Sequence, residues 1–357
     1  MKRIYKIIIM AFVFFLGFFT LNYYIFFRMA FLFGFNQSEL ILYLIIIASV
    51  SYPIAMFIER NLSNIYTRIL YTFSSIWLGI AFFLLFLLII YEILNIIFIL
   101  PSFISGVSII VFSALLTFYS LINSLIINIK KLEIPFPSIN SDINVVQLSD
   151  IHIGSIRNSG YMEKVVKKVN ELNPDIVLIT GDVVDGSARL HKKTFQVLNN
   201  IECPTLFVIG NHEVYEGLEE VYRVLNFTKI KFLRNEIFKF RGIQIIGVDY
   251  SFKKDHLKNV LSSLKIEKNM PSILMYHVPQ GLKVSNEFGV NLQISGHTHS
   301  GQIIPFNILV KLLFPYFNGL YKFNDTYLYV SAGTGTWGPP MRLGSSNEIT
   351  LIILKPT

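Results

Sequence analysis

Two stretches decide the fold: Asn144-Val-Val-Gln-Leu-Ser-Asp150-Ile-His152 and Ile176-Val-Leu-Ile-Thr-Gly-Asp182-Val-Val-Asp185. Each is a short β-rich run that gives way to Asp or His, the pattern of a buried strand meeting a polar turn. The same grammar recurs downstream. Residues 206–209 run into Gly210-Asn211-His212-Glu213, residues 273–276 into His277, and residues 291–294 into Gly296-His297-Thr298-His299. Residues 243–248 and 326–330 read as further strands. Between them, residues 161–172 carry Met162, Val165, Val166 and Val169 at helical spacing ahead of Pro174. Helices are also expected over 190–200, 216–225 and 254–264. Strand–helix alternation predicts an α/β layered fold. In open α/β sheets, ligands bind at the carboxyl ends of the strands.

The histidines sharpen this reading. The chain has 7, and His152, His212, His277, His297 and His299 all follow such strands. One of them alone would read as a hydrogen-bonded core residue, and His297/His299 alone as a turn. All five together with Asp150, Asp182 and Asn211 point to a metal-binding crevice. Mixed Asp, Asn and His donors suit Mn²⁺, Fe²⁺ or Zn²⁺ better than a thiolate site or an all-oxygen Mg²⁺/Ca²⁺ cage. Two divalent ions about 3.5–4 Å apart need a bridging ligand, and a carboxylate such as Asp182 can serve. Such a pair acidifies a bound water and clamps both oxygens of an in-line displacement. Asp150, Asp182 and a bridging hydroxide leave two M²⁺ ions with a residual positive charge, which favours an anionic phosphoester.

In order, the motifs D-x-H, GD-x-x-D, GNH-[DE], H and G-H-x-H resemble the calcineurin-like metallophosphoesterases, over roughly residues 143–357. The resemblance implies two mixed β-sheets flanked by helices, with a dinuclear site at the sheet ends. It implies that Asp150, His152 and His299 hold one metal, that Asp182 bridges, and that Asn211, His277 and His297 complete the second. It also implies that a metal-bridging hydroxide attacks a phosphodiester or pyrophosphate bond. His212 would then be the catalytic general acid or charge stabiliser rather than a ligand, while Asp185 and Glu213 orient neighbours. The sequences Gly296-His-Thr-His-Ser-Gly-Gln302 and Gly333-Thr-Gly-Thr-Trp-Gly-Pro-Pro-Met-Arg342 resemble the membrane-anchored bacterial branch. Arg342 is a candidate for substrate binding, by bidentate contact with a phosphate; a plain surface or salt-bridge role is the alternative.

The N-terminal third is different in kind. Residues 1–129 hold 9 charged side chains, against 45 in residues 130–357. The whole chain is 53% hydrophobic, with a mean hydropathy of +0.54. Apolar runs over about 7–27, 40–58, 69–91 and 103–129 each approach the roughly 20 residues needed to cross a bilayer. They predict a transmembrane helical anchor, with 130–142 as a linker stiffened by Pro135-Phe-Pro137. Run 1 is too long and too bulky near its end for a cleaved signal peptide. Lys2, Arg3, Lys6, Arg60, Arg68, Lys130 and Lys131 fall on one side of four spans and Arg28 on the other. This places the catalytic domain on the cytoplasmic face of the cell (inner) membrane; a change of one span inverts it. Glu92 is expected at the interface rather than in a transport path.

Cys203 is the only cysteine, which excludes an internal disulfide. The net charge of +8 comes without a long Lys/Arg run, so nucleic acid is not an expected partner. The expected partners are the lipid bilayer and a phosphoester substrate, lipid-linked in the favoured reading. Residues 303–323 are apolar but broken by Pro, and read either as core or as an interfacial flap beside the site. The competing readings are a catalytically degenerate membrane scaffold, a phosphoesterase for soluble nucleotides, and a transporter with a regulatory domain. The intact motifs disfavour the scaffold, and the almost charge-free helices disfavour the transporter.

Overall fold

A computed structural model describes residues 2–35 and 39–357. The chain forms two compact units, Met1–Ile122 with Gly338–Met341, and Asn123–Trp337 with Arg342–Thr357.

The first unit contains α1 (Lys2–Leu32), α2 (Glu39–Leu62), α3 (Ile65–Ile97) and α4 (Ser102–Asn123). All four are long and apolar enough to cross a membrane. Helices α1 and α3 extend beyond the expected runs, α3 continuing through residue 97. Helix α4 stops at Asn123, short of residue 129. The side chains of Lys2, Arg3 and Lys6, and residues 36–38 of the first joint, lie outside the described residues. Asn64 caps α3, accepting the backbone N–H groups of Tyr66 and Thr67. Glu92 is paired with Arg28, whose Nη2 lies 2.5 Å from Oε1.

The second unit is a sandwich of two six-stranded sheets. Sheet one contains β1 (Ile127–Phe136), β2 (Ile143–Leu148), β3 (Ile176–Ile179), β4 (Thr205–Phe207), β5 (Lys231–Phe232) and β12 (Asn347–Pro356), in the order β1-β12-β2-β3-β4-β5. Sheet two contains β6 (Glu236–Phe240), β7 (Ile243–Val248), β8 (Ser272–Tyr276), β9 (Leu292–Ser295), β10 (Gly319–Phe323) and β11 (Thr326–Val330), in the order β10-β11-β9-β8-β7-β6. Strands β2 to β5 run parallel, as do β7 to β9, while β12 is antiparallel to β2, β6 to β7 and β10 to β11. Both sheets are therefore mixed.

The inner faces of the two sheets meet in one core, with Val145, Ile176, Leu178 and Leu206 from sheet one and Ile245, Ile273, Met275 and Ile294 from sheet two. Helix α5 (Ser159–Glu171) covers the outer face of sheet one with the expected stripe of Met162, Val165, Val166 and Val169. Strands buried on both faces explain why these runs are almost wholly apolar rather than alternating.

The expected linker over 130–142 is shorter than its bounds: residues 130–136 belong to β1, which pairs with β12 from Ile127 to Phe136, and only 137–142 connect β1 to β2. Lys130 and Lys131 fit there because β1 is an edge strand with solvent on one side. Pro135 fits because an edge strand can spare an N–H.

Candidate metal centre

The strand ends converge as the sequence pattern requires. Asp150 and His152 leave β2, Asp182 leaves β3, Asn211 leaves β4, His277 leaves β8, and His297 and His299 leave β9. Their turns are tight. Asp150, His152, Asp182, His297 and His299 all have left-handed backbones, with φ of 52°, 52°, 53°, 72° and 50°. Such non-glycine conformations cost about 1–3 kcal/mol each and cluster at functional sites. Gly181 has φ of +94°, and a Cβ there would come within 2.7 Å of His277 Nδ1, so the turn admits no side chain.

Among the described residues, Asp150, His152 and His299 form one donor set, and Asp182 and His277 with half-buried His297 a second; His152 with half-buried Asp185 and His212 makes a third that overlaps the first. In the first, His152 Nε2 and His299 Nε2 lie 2.9 Å apart, and Asp150 Oδ1 is 3.4 Å from His299 Nε2. In the second, Asp182 Oδ2 is 3.2 Å from His277 Nε2, which lies 3.1 Å from His297 Nδ1 and 2.9 Å from Asn211 Oδ1. Donors on a ~2.1 Å coordination sphere are about 3.0–3.4 Å apart, so these spacings fit divalent ions. Asp182 Oδ2 also lies 4.0 Å from His152 Nε2, which puts it next to both sets.

Surrounding contacts orient these donors. His277 Nδ1 hydrogen-bonds the Thr180 carbonyl at 2.8 Å, which turns Nε2 inward. Asp185 Oδ1 stands 3.6 Å behind His152 Nδ1. Buried Glu213 accepts N–H groups from Asp182, Val183, Val184 and Gly210 at 2.9, 2.8, 3.2 and 2.8 Å. It thereby clamps the GD turn to the GNH turn. Burial and the Asp182 carboxylate push Glu213 up to about 7, against the pull of those N–H groups.

Electrostatics prepare the donors unequally. Burial holds His152 and His299 below the usual imidazole range, and lowers His297 to about 4. These rings are neutral near pH 7, as a ligand must be. Burial would also lower His277, but the Asp182 carboxylate outweighs it and lifts His277 to about 10. Burial opposes ionisation of Asp150 and Asp182, yet the neighbouring histidines hold both carboxyls below the ordinary range.

His212 sits differently. It is half-buried, and its ring packs 4.5 Å from that of His152. Its Nδ1 meets the Asp185 carbonyl at 2.9 Å, and its backbone N–H donates to Asp182 Oδ1 at 2.8 Å. Burial lowers its basicity, but Asp182, Asp185 and Glu213 together raise it.

Arg342 does not take the expected place. It is fully buried and donates to the carbonyls of His299, Ala332 and Gly335 and to Asn347 Oδ1 at 2.9, 2.8, 2.6 and 2.9 Å. Ser345 Oγ takes a further bond at 3.2 Å. All five N–H groups are thereby used, and none is left for a phosphate. Arg342 holds the loop behind His299.

Sequence reasoning missed most of an aromatic rim. Tyr215 lies 5.6 Å from His212 and stacks on Phe252 at 6.1 Å. Tyr250 joins Phe252 at 5.0 Å and faces His297 at 6.4 Å, and Phe314 meets His297 at 5.2 Å. Tyr215 is three residues past His212, and Phe314 lies in the 303–323 stretch read as core or flap; Tyr250 and Phe252 arrive from a distant turn.

A calcineurin-like phosphoesterase family model matches residues 143–301. An uncharacterized metallophosphoesterase of Campylobacter jejuni is 35% identical over 257 residues, covering 70% of this chain and 69% of that protein. The chain belongs to the calcineurin-like phosphoesterase family. One Helicobacter pylori member is 37% identical over 236 residues, and the chain spans 64% of its length and 64% of its own. A Danio rerio relative named transmembrane protein with metallophosphoesterase domain is 33% identical over 278 residues, covering 71% of this calcineurin-like chain and 63% of that one. The family's metal-binding character agrees with the His/Asp donor sets.

Proposed function

We propose that this chain is a membrane-tethered phosphoester hydrolase with two divalent ions, cleaving a phosphodiester or pyrophosphate bond in a lipid-linked substrate. The observation that carries this reading is the pair of donor sets next to Asp182, flanked by half-buried His212. Asp150, His152 and His299 would hold one ion, and Asn211, His277 and His297 the other, with Asp182 between them. Mn²⁺, Fe²⁺ and Zn²⁺ suit this donor chemistry. When bound, such a pair acidifies a water and stabilises charge on the attacking and leaving oxygens.

The chain's own residues do the rest. His212 anchors Nδ1 on the Asp185 carbonyl, which leaves Nε2 to give a proton to the departing oxygen. The carboxylates around it favour the protonated ring needed for that task. Glu213 holds the turns together, and the Asp185 carboxylate stands 3.6 Å from His152 Nδ1. The aromatic rim offers apolar surface to the leaving group. Four membrane-length helices in the same chain favour a substrate that itself resides in lipid. The Lys/Arg bias orients the catalytic unit to the cytoplasmic side of the inner membrane.

The test is hydrolysis of an aryl phosphodiester by detergent-purified, Mn²⁺-loaded full-length protein beside Asp182→Ala and His212→Ala. Wild type is expected to turn over, Asp182→Ala to lose metal and rate, and His212→Ala to keep metal while losing about 10²–10⁴-fold in rate. Metal binding with equal inertness of all three proteins, on phospholipid vesicles as well, would favour the scaffold. Full activity on soluble nucleotides with none on lipid would redirect the substrate class.

A further inference from the structure

The second unit exposes a compact apolar surface that its own fold leaves uncovered. Helix α11 (Phe306–Leu313) follows the His297/His299 turn. Its Ile308, Leu309, Leu312 and Leu313 are 59%, 55%, 78% and 74% exposed. Spaced i, i+1, i+4 and i+5, these four share one face of the helix. Val310 alone in α11 is buried, which docks the opposite face onto the domain. Ile304, two residues before the helix, and Trp337 are also exposed, at 39% and 42%. Trp337 is fixed by two backbone bonds to the Gln302 amide, at 2.9 and 3.1 Å.

We propose that this face of α11 lies in the interface of the bilayer that the chain's own helices occupy. Three observations select lipid over other occupants. The same polypeptide carries four membrane-length helices, and residues 124–126 alone separate the last of them from β1, so a bilayer lies within reach. The helix has no acid and a single charge, Lys311, whose long stem can lift its ammonium to anionic headgroups. The exposed Trp337 matches the side chain that settles at headgroup level. The helix is also tied to the metal centre, because Phe314, the residue that ends it, packs on His297. Insertion thus holds the donor sets near the lipid surface. This placement stands whatever bond the centre cleaves.

The experiment uses full-length protein in phosphatidylethanolamine/phosphatidylglycerol vesicles whose acyl chains are brominated just below the headgroups. A bimane label is carried on Leu312→Cys or Leu309→Cys, in a Cys203→Ser background. Phe112→Cys on α4 reports the bilayer, and Lys268→Cys, in an exposed turn, reports water. The labels at 312 and 309 are expected to lose about two-thirds of their emission, consistent with insertion about 5–10 Å deep, while the label at 268 keeps its own. Emission at 312 and 309 equal to that at 268, with 112 quenched, overturns the proposal. So does protection that scales with protein density rather than with bromine, which would assign the face to a second copy. The readout needs no turnover, so its failure is separate from failure of the hydrolase reading.

Discussion

His152 Nε2 and His299 Nε2 face each other at 2.9 Å in a fully enclosed setting. At that distance either one neutral ring donates its Nε2–H to the other or a cation sits between them. Burial disfavours a charged ring at either position, and the family's metal-binding character favours the cation. Chelation is therefore expected to lower the thermal midpoint of the protein, and Mn²⁺ or Zn²⁺ to restore it. An ion at 100 times its Kd adds about 2.7 kcal/mol, or roughly 5–11 °C for a unit of this size. Identical melting with and without chelator would mean that these donors hold no cation.

The Asp182–His277 pair sets a pH dependence. His277 is lifted to about 10 from an ordinary value near 6.5. In metal-free protein the pair's stabilisation is thus complete below about pH 6.5 and fades as pH rises through about 10. Metal loading at pH 7.5 must displace that proton. Calorimetry in buffers of different ionisation enthalpy should show a proton released on binding, and apparent affinity should climb with pH across this window.

Glu213 meets four backbone N–H groups that have no other acceptor in the turn. Glu213→Gln replaces one accepting oxygen with a donor and sets it against them. The expected loss is about 2–3 kcal/mol, a fall in thermal midpoint of roughly 4–12 °C, with a lower kcat because both turns loosen. Calorimetry and kinetics on the same preparation check both.

Arg342→Lys distinguishes loop support from phosphate contact. One ammonium cannot replace five fixed N–H groups. The variant is expected to lose metal and kcat, to recover part of its rate in excess metal, and to keep its KM. A raised KM at full metal occupancy would instead assign Arg342 to the substrate.

The sequence made the donors legible for a simple reason: each follows a strand, and parallel strands bring their carboxyl ends together. Asp150, His152, Asp182, Asn211, His277, His297 and His299 all meet where that rule puts them. The misreadings share a different cause. Arg342 looked like a phosphate ligand because composition does not reveal that carbonyls surround it. Strand β1 looked like a linker because Lys130, Lys131 and Pro135 are typical of both edge strands and joints. A truncation starting at residue 142 would therefore remove an edge of sheet one, so the full chain is the proper object of study. The rim was legible only in part: Phe314 falls in the 303–323 stretch read as core or as a flap beside the site, whereas Tyr250 and Phe252 carry no motif and matter only through folded proximity to the histidines.

Five of the donor residues carry left-handed backbones, each held in a tight turn. A cage built this way cannot swell or shrink to suit its guest. Ionic radius, more than raw affinity, should then decide which cations it admits, and a large ion such as Cd²⁺ should fit poorly despite its liking for nitrogen.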